Sequence, residues 1–217
     1  MTIQYQDKYL LPSPAGAWHC ISATAPEPAR QFLQQLMTFE ESQHFDADTI
    51  NSLLPDSNIQ ESLLYHIQQL KWLQGFSAPR SAPQGNFDES LPDLLAALSS
   101  EYKTLLADDE GFFLAGSGFT HEASEELAAL GADLSALYTR HEGIVSNNLN
   151  INSSAFALVD AAGYSRIGFW PLYIGELRFN LVISGAPRFE QQNFVDLVWI
   201  LHKRYYRQKH KADANAA

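Results

Sequence analysis

"LLADDEGFFLAGSGFTHE", residues 105–122, sets two short apolar runs around three consecutive acids and a glycine, then passes through Gly116-Ser117-Gly118 into an acid-rich segment. Apolar runs this short, bounded by turn formers, read as strands, so the stretch is expected to be a hairpin turning at Asp109-Glu110-Gly111. Thr120 ahead of acids and an apolar periodicity reads as a helix N-cap. A chemical reading competes. A calcium loop, however, distributes its oxygens over about a dozen residues, and successive strand side chains point to opposite faces. Asp108, Asp109 and Glu110 are therefore expected in water at a turn, with Gly111 supplying the backbone angle other residues avoid. Gly116-Ser117-Gly118 lacks the Gly-Lys-Ser/Thr of a phosphate loop and the third glycine of a dinucleotide fingerprint. Glu122, Glu125 and Glu126 in the opening turns suit the helix dipole but repel an anion placed there.

Working outward, "LPDLLAALSS" upstream reads as a helix with Leu94, Leu95 and Leu98 inward. Downstream, a helix from Thr120 to about His141 precedes three strands, "SAFALVDAAG", "SRIGFW" and "LRFNLVISG". A last helix, "EQQNFVDLVWILHKRYYRQ", carries Phe194, Leu197, Val198, Leu201 and Tyr205 at spacings of three and four. In the long helix Ala123, Leu127, Leu130, Leu134 and Leu137 alternate at fours and threes, a heptad-like stripe. Beside it Ala128, Ala129, Gly131, Ala132 and Ala136 form a flank of small residues that would let a second helix approach.

The front of the chain reads as helical. Phe32, Leu33, Leu36 and Phe39 share one periodicity, and Asp46 caps a short helix bearing Ile50, Leu53 and Leu54 that stops at Pro55. A third helix carries Ile59, Leu63, Leu64, Ile67, Leu70 and Leu73 and ends at Gly75. Three helices with a tight turn between the last two resemble a helix-turn-helix or winged-helix unit, and "AWHCISA", residues 17–23, is a candidate strand. Between front and back, "SAPRSAPQGNF", residues 77–87, is rich in Pro, Gly and small polar residues and reads as a joint.

The totals narrow the functions. The formal charge of −11 repels nucleic acid and anionic lipid wherever no local basic patch intervenes. Cys20 is the single cysteine, which excludes an intrachain disulfide and a four-cysteine zinc site. The opening "MTIQYQDKYLLPSPAG" lacks the pattern of a signal peptide, and no apolar run approaches the ~20 residues that span a bilayer, so a cytoplasmic protein without membrane insertion is expected.

The back-half order, with "LLADDEGFFLAGSGF", "HEASEELAALGADLSALY", "SSAFALVDAAG" and "LVISGAPRF", resembles the roadblock / dynein light chain family, a relative of longin and profilin-like folds. The resemblance covers residues 90–207. It implies an α+β fold, α-β-β-α-β-β-β-α, with a five-stranded antiparallel sheet and, usually, a dimer. It also implies a role as scaffold or regulator for small Ras-like GTPases; in bacterial gliding and polarity systems a roadblock dimer accelerates hydrolysis by such a GTPase. The expected division is a helical, winged-helix-like domain over 1–80, a linker over 81–89, the roadblock-like domain over 90–207 and a flexible tail over 208–217.

Catalytic, cofactor and metal residues are all expected to be none. Histidines 19, 44, 66, 121, 141, 202 and 210 form no His-x-His and no His-Glu-x-x-His. There is no Gly-x-Ser-x-Gly, and Cys20 has no predictable base. The expected function is a non-enzymatic homodimeric adaptor for a small GTPase. Its self-association surface is expected to comprise Leu127, Ala128, Leu130, Gly131, Ala132, Leu134 and Leu137 of the helix, with Ser154, Phe156 and Leu158 of the following strand. The alternative is a DNA-binding regulator using the front helices. Residues 1–85 hold four Lys or Arg against eight Asp or Glu, a net of −4. The helix that would read bases offers Gln60, Glu61, Gln68, Gln69 and Lys71 outward, so base-reading amides exist but scarcely any cation for phosphate. The basic segment "HKRYYRQKHK", residues 202–211, reads as a helix end whose cations suit the dipole. A hydrolase built on Asp108-Asp109-Glu110 is the weakest option.

Overall fold

The computed structural model describes Tyr5 and residues 7–206. They fall into two compact units, one within Met1–Asn86 and Phe189–Ala217, the other Phe87–Arg188. In chain order the first unit has β1 (Tyr9–Pro12), α1 (Pro14–Ile21), α2 (Pro28–Leu36), β2 (Gln43–His44), α3 (Ala47–Leu53), α4 (Ser57–Gln69) and β3 (Leu73–Phe76). The second has α5 (Phe87–Ala97), β4 (Thr104–Asp108), β5 (Phe113–Ser117), α6 (His121–Glu142), β6 (Phe156–Val159), β7 (Ser165–Ile174) and β8 (Leu177–Ser184). The chain then returns to the first unit with α7 (Gln192–Leu201), prolonged by a π-helical turn over His202–Tyr206.

Local chemistry accounts for the front helices. Asp46 accepts from the Thr49 amide at 2.8 Å and Asp56 from the Asn58 amide at 3.0 Å, capping α3 and α4. Residues 17–23 are not a strand: Ser13 accepts from the Gly16 amide at 3.2 Å and Pro14 stands in the first turn, so the segment starts a helix. Nor is the front all helical. β1 pairs antiparallel with both β2 and β3, giving a sheet in the order β2-β1-β3. Leu73 and Gly75, expected at the end of the third helix, lie in β3, because α4 stops at Gln69 and Lys71 takes φ 56°.

The back unit carries the expected five-stranded antiparallel sheet, ordered β5-β4-β8-β7-β6. Leu105, Ala107, Phe169 and Val182 pack with Ala128 of α6 on one face, and α5 packs against β5 and β4. Strands and helices follow the expected order through β8. The correction is α7, which belongs with the front unit and packs on α1. Seven of its ten residues, Phe194, Val195, Leu197, Val198, Trp199, Ile200 and Leu201, are buried. Trp199 donates its indole N–H to the Phe39 carbonyl at 2.9 Å, and Lys203 pairs with Glu40.

The expected joint is shorter than its composition indicates. Ser42 donates to the Arg80 carbonyl and Ala82 to the Glu40 carbonyl, both at 2.8 Å, so residues 80–82 are bound into the front unit. α5 begins at Phe87, which leaves only residues 83–86 between. No helix among the described residues is long and apolar enough to cross a membrane. The expected tail, 208–217, and the last five residues of the basic segment, 207–211, lie outside the described residues.

Candidate functional site

The stretch 105–122 is built as structure. The Asp108 carboxylate accepts from the amides of Glu110 at 3.0 Å and Phe112 at 2.8 Å, closing the hairpin on itself. Asp109 pairs with Arg178 of β8, whose other nitrogen donates to Thr139 Oγ1 at 3.3 Å. Two of the three acids expected in water are thus engaged. Gly118, at φ 78°, leaves no room for a side chain: a Cβ there would sit 2.4 Å from the Tyr102 carbonyl oxygen. Thr120 caps α6 through the Ala123 amide at 3.3 Å. Among the described residues no group of three or more His, Cys, Asp or Glu converges as it would on a metal ion.

α6 turns its small residues to the sheet. Ser124, Ala128, Gly131 and Ser135 are its buried positions, and Ser135 donates to Asn180 of β8 at 2.7 Å in the interior. A Cβ on Gly131 would stand 3.3 Å from Asn180 Cβ, so the close approach is what the glycine permits. Ala128 and Gly131 are therefore internal contacts and cannot meet a second chain. Ala132 is also taken: at Gly111 an added Cβ would lie 3.0 Å from Ala129 Cα and 3.2 Å from Ala132 Cβ, so the hairpin turn covers that flank.

The leucine stripe runs along the opposite flank. Leu127 and Leu134 are half-buried against the core cluster, while Leu130 and Leu137 remain 38% and 42% exposed. Tyr138 meets Phe156 of β6 edge to face, with centroids 6.4 Å apart, so this flank faces the β6 side of the sheet. β6 is an edge strand. Phe156 pairs with Phe169 and Leu158 with Ile167, which places all four on the face that carries α6. Leu158 and Val159 are 58% and 59% exposed, and the strand bears no charge. Leu127, Leu130, Leu134, Leu137, Phe156 and Leu158 thus form one apolar surface. Ser154 lies just ahead of the strand and is half-buried.

Sequence reasoning missed the extension of this surface. Ile144, in a π-helical turn over Gly143–Asn148, is 53% exposed, and Leu149 and Ile151 are 59% and 47% exposed. The signal was there, since Ile144 continues the spacing Leu130, Leu137 by a further seven.

The front unit offers buried polar groups of another kind. His19 stacks on Trp72 with centroids 3.8 Å apart, and its Nε2 lies 3.0 Å from Glu27. Burial pushes the His19 pKa down, against the pull of the Glu27 carboxylate. Burial raises the Cys20 thiol, so the sulfur stays protonated and inert. Of the amides a DNA reading would use, Gln68 is buried and Gln60 donates to the Leu54 carbonyl, which leaves Gln69 exposed.

No family model matches the chain, and no curated protein matches it. Among the solved structures that resemble it in part are two of known description. One is a Roadblock/LC7 domain from Streptomyces avermitilis, at 10% identity over 57% of this chain and 99% of that one, with a TM-score of 0.39. The other is MglB of Myxococcus xanthus, at 14% identity over 60% of this chain and 94% of that one, with a TM-score of 0.32. No residue role is carried over from either.

Proposed function

We propose that the protein is a non-enzymatic adaptor that works as a homodimer and binds a small Ras-like GTPase or assembles a complex around one. The observation that carries the self-association is the outward leucine stripe of α6, continuous with the uncharged edge strand β6. Apolar surface of this extent, beside unpaired strand amides and carbonyls, favours association. A two-fold axis would place like patches against each other. The GTPase as partner rests on the family resemblance of the sequence, and the front unit is proposed to serve protein contacts.

Light scattering at tens of micromolar is expected to return a dimer mass for the wild type and a monomer for Leu130→Glu, whose carboxylate would enter the apolar seam. A monomeric wild type ends the proposal. The partner is tested by capture from native lysate with nucleotide analysis of what is recovered. A recovered protein with bound guanine nucleotide supports the reading, and retention of only non-nucleotide proteins overturns the GTPase part.

A further inference from the structure

One end of the back sheet differs in charge from the rest of its unit. Phe87–Arg188 holds fourteen Asp or Glu against five Lys or Arg. Three of those five, Lys103, Arg166 and Arg188, stand where β4 and β7 begin and just beyond the end of β8. The Lys103 carbonyl accepts from the Ser184 amide and the Arg166 carbonyl from the Gly185 amide, both at 2.9 Å. The two cations therefore flank the end of β8, about 10 Å apart across two strand spacings. By the pleat, Lys103 continues the face of Leu105 and Arg166 the opposite one, so they bracket the rim of the sheet and not one face. Both are exposed, and neither makes an ion pair among the described residues.

The loop at this end is locked, and it holds an aromatic ring in water. Buried Ser99 accepts from the amides of Glu101 at 3.0 Å and Lys103 at 3.2 Å while donating to the Ser184 carbonyl at 2.7 Å. Between those amides Tyr102 takes φ 57°, a left-handed conformation that is costly for a bulky side chain, yet its ring is 61% exposed. The fold gains little burial from that ring. The Arg188 guanidinium lies over it, 5.8 Å from the centroid. Carboxylates at this end are engaged or peripheral. Glu101 accepts from the Ser184 hydroxyl at 2.7 Å, and Asp160 from the amides of Ala162 at 2.9 Å and Tyr164 at 3.1 Å. Glu122 and Glu125 border the end at the start of α6.

We propose that Tyr102, Lys103, Arg166 and Arg188 form a docking surface for a short acidic segment of a partner protein. The cations select an anionic ligand, and Tyr and Arg are the residue types that most often anchor protein interfaces. A loop already fixed by Ser99 loses little freedom on binding. Extent argues against longer polyanions: a nucleic-acid strand or an anionic bilayer reaches past three cations to Glu122, Glu125 and the acidic remainder of the unit. An extended segment with carboxylates about three residues apart spans the distance from Lys103 to Arg166.

The test is the fluorescence anisotropy of a labelled oligoglutamate peptide titrated with the full chain at low salt. Saturable binding is expected, and Lys103→Glu and Arg166→Glu should each weaken it about fivefold. Circular dichroism checks that these variants, at exposed positions, are folded. Tyr102→Gly removes the ring but suits φ 57°. It should weaken binding about threefold and leave the melting temperature unchanged or higher. Arg140→Glu, in the last turn of α6, should stay within about twofold of wild type, which separates the surface from an effect of net charge. An oligothymidylate of matched charge and phosphatidylserine vesicles should bind less tightly than the peptide. Absence of peptide binding, binding indifferent to both charge reversals, or tighter capture of the oligonucleotide or the vesicles overturns the inference. None of these readouts requires a dimer or a GTPase, so the function proposed above stands or falls separately.

Discussion

At residue 118 a side chain has nowhere to go: φ is 78° and the space a Cβ would need is held by the Tyr102 carbonyl, 2.4 Å away. Gly118→Ala is therefore expected to destabilise the chain by about 2–3 kcal/mol, read from the urea midpoint, through strain and displacement of backbone together. The acids of the neighbouring turn differ among themselves. Asp108→Ala frees two amides and should cost about 1–2 kcal/mol, whereas Glu110→Gln, whose side chain makes no ion pair or hydrogen bond among the described residues, should stay within about 0.5 kcal/mol. A second residue sets the response to acid. His202 is fully buried and donates through Nδ1 to the Val198 carbonyl at 2.9 Å, and burial lowers its pKa from 6.5 to about 4. The folded state thus favours the neutral ring. The resulting stability is full above the unfolded value of 6.5 and is lost as pH falls toward 4, by about 3 kcal/mol at most. His202→Phe should flatten the difference in urea midpoint between neutral pH and pH 4 relative to wild type. An unchanged difference would mean that His202 does not titrate in this window.

At the scale of elements, α6 shows why a heptad pattern alone misassigns faces. Leucines at fours and threes would ordinarily be placed against the sheet. Here Ser124, Ala128, Gly131 and Ser135 are the buried positions, because the helix sits close enough for Ser135 to reach Asn180, and only Leu127 and Leu134 of the leucines reach the core from its edge. Two substitutions one residue apart should separate the faces. Gly131→Leu drives a branched side chain into Asn180 and Phe169 and should destabilise folding by about 2–4 kcal/mol. Leu130→Glu should leave the melting temperature of the monomer close to wild type while removing the dimer. If Leu130→Glu instead unfolds the chain, the leucine stripe is core and not an interface.

For the whole molecule, the decisive feature is that the chain leaves the front unit near residue 86 and re-enters it at Phe189. Pro83 to Asn86 is the stretch of the expected joint that lies between the bonded residues 80–82 and the helix α5. Limited proteolysis should cut there first, since Gln84, Gly85 and Asn86 are exposed and lie in neither a helix nor a strand. The two fragments should separate on a denaturing gel yet elute together in buffer, because α7, on the later fragment, packs with α1, on the earlier one. Fragments that part without denaturant would assign α7 to the back unit after all. A first cut within α6 or β7 would contradict the division into units.

How much of this could be read in the letters follows from sequence distance. The hairpin over 105–117, the Thr120 and Asp46 caps, and the succession of strands and helices are consequences of neighbouring residues, and the sequence alone determines them. The α+β class and the five-stranded sheet follow from that succession. The strands β1, β2 and β3 escaped because each is two to four residues long and pairs across tens of residues, as in Leu11 with Gln74. The side of α6 that faces water depends on how closely Gly131 lets the helix approach Asn180, which no periodicity encodes. α7 is apolar nearly all round, so its pattern marks it as interior without saying which interior. That choice belongs to tertiary packing: Trp199 finds the Phe39 carbonyl and Lys203 finds Glu40, partners 160 and 163 residues away.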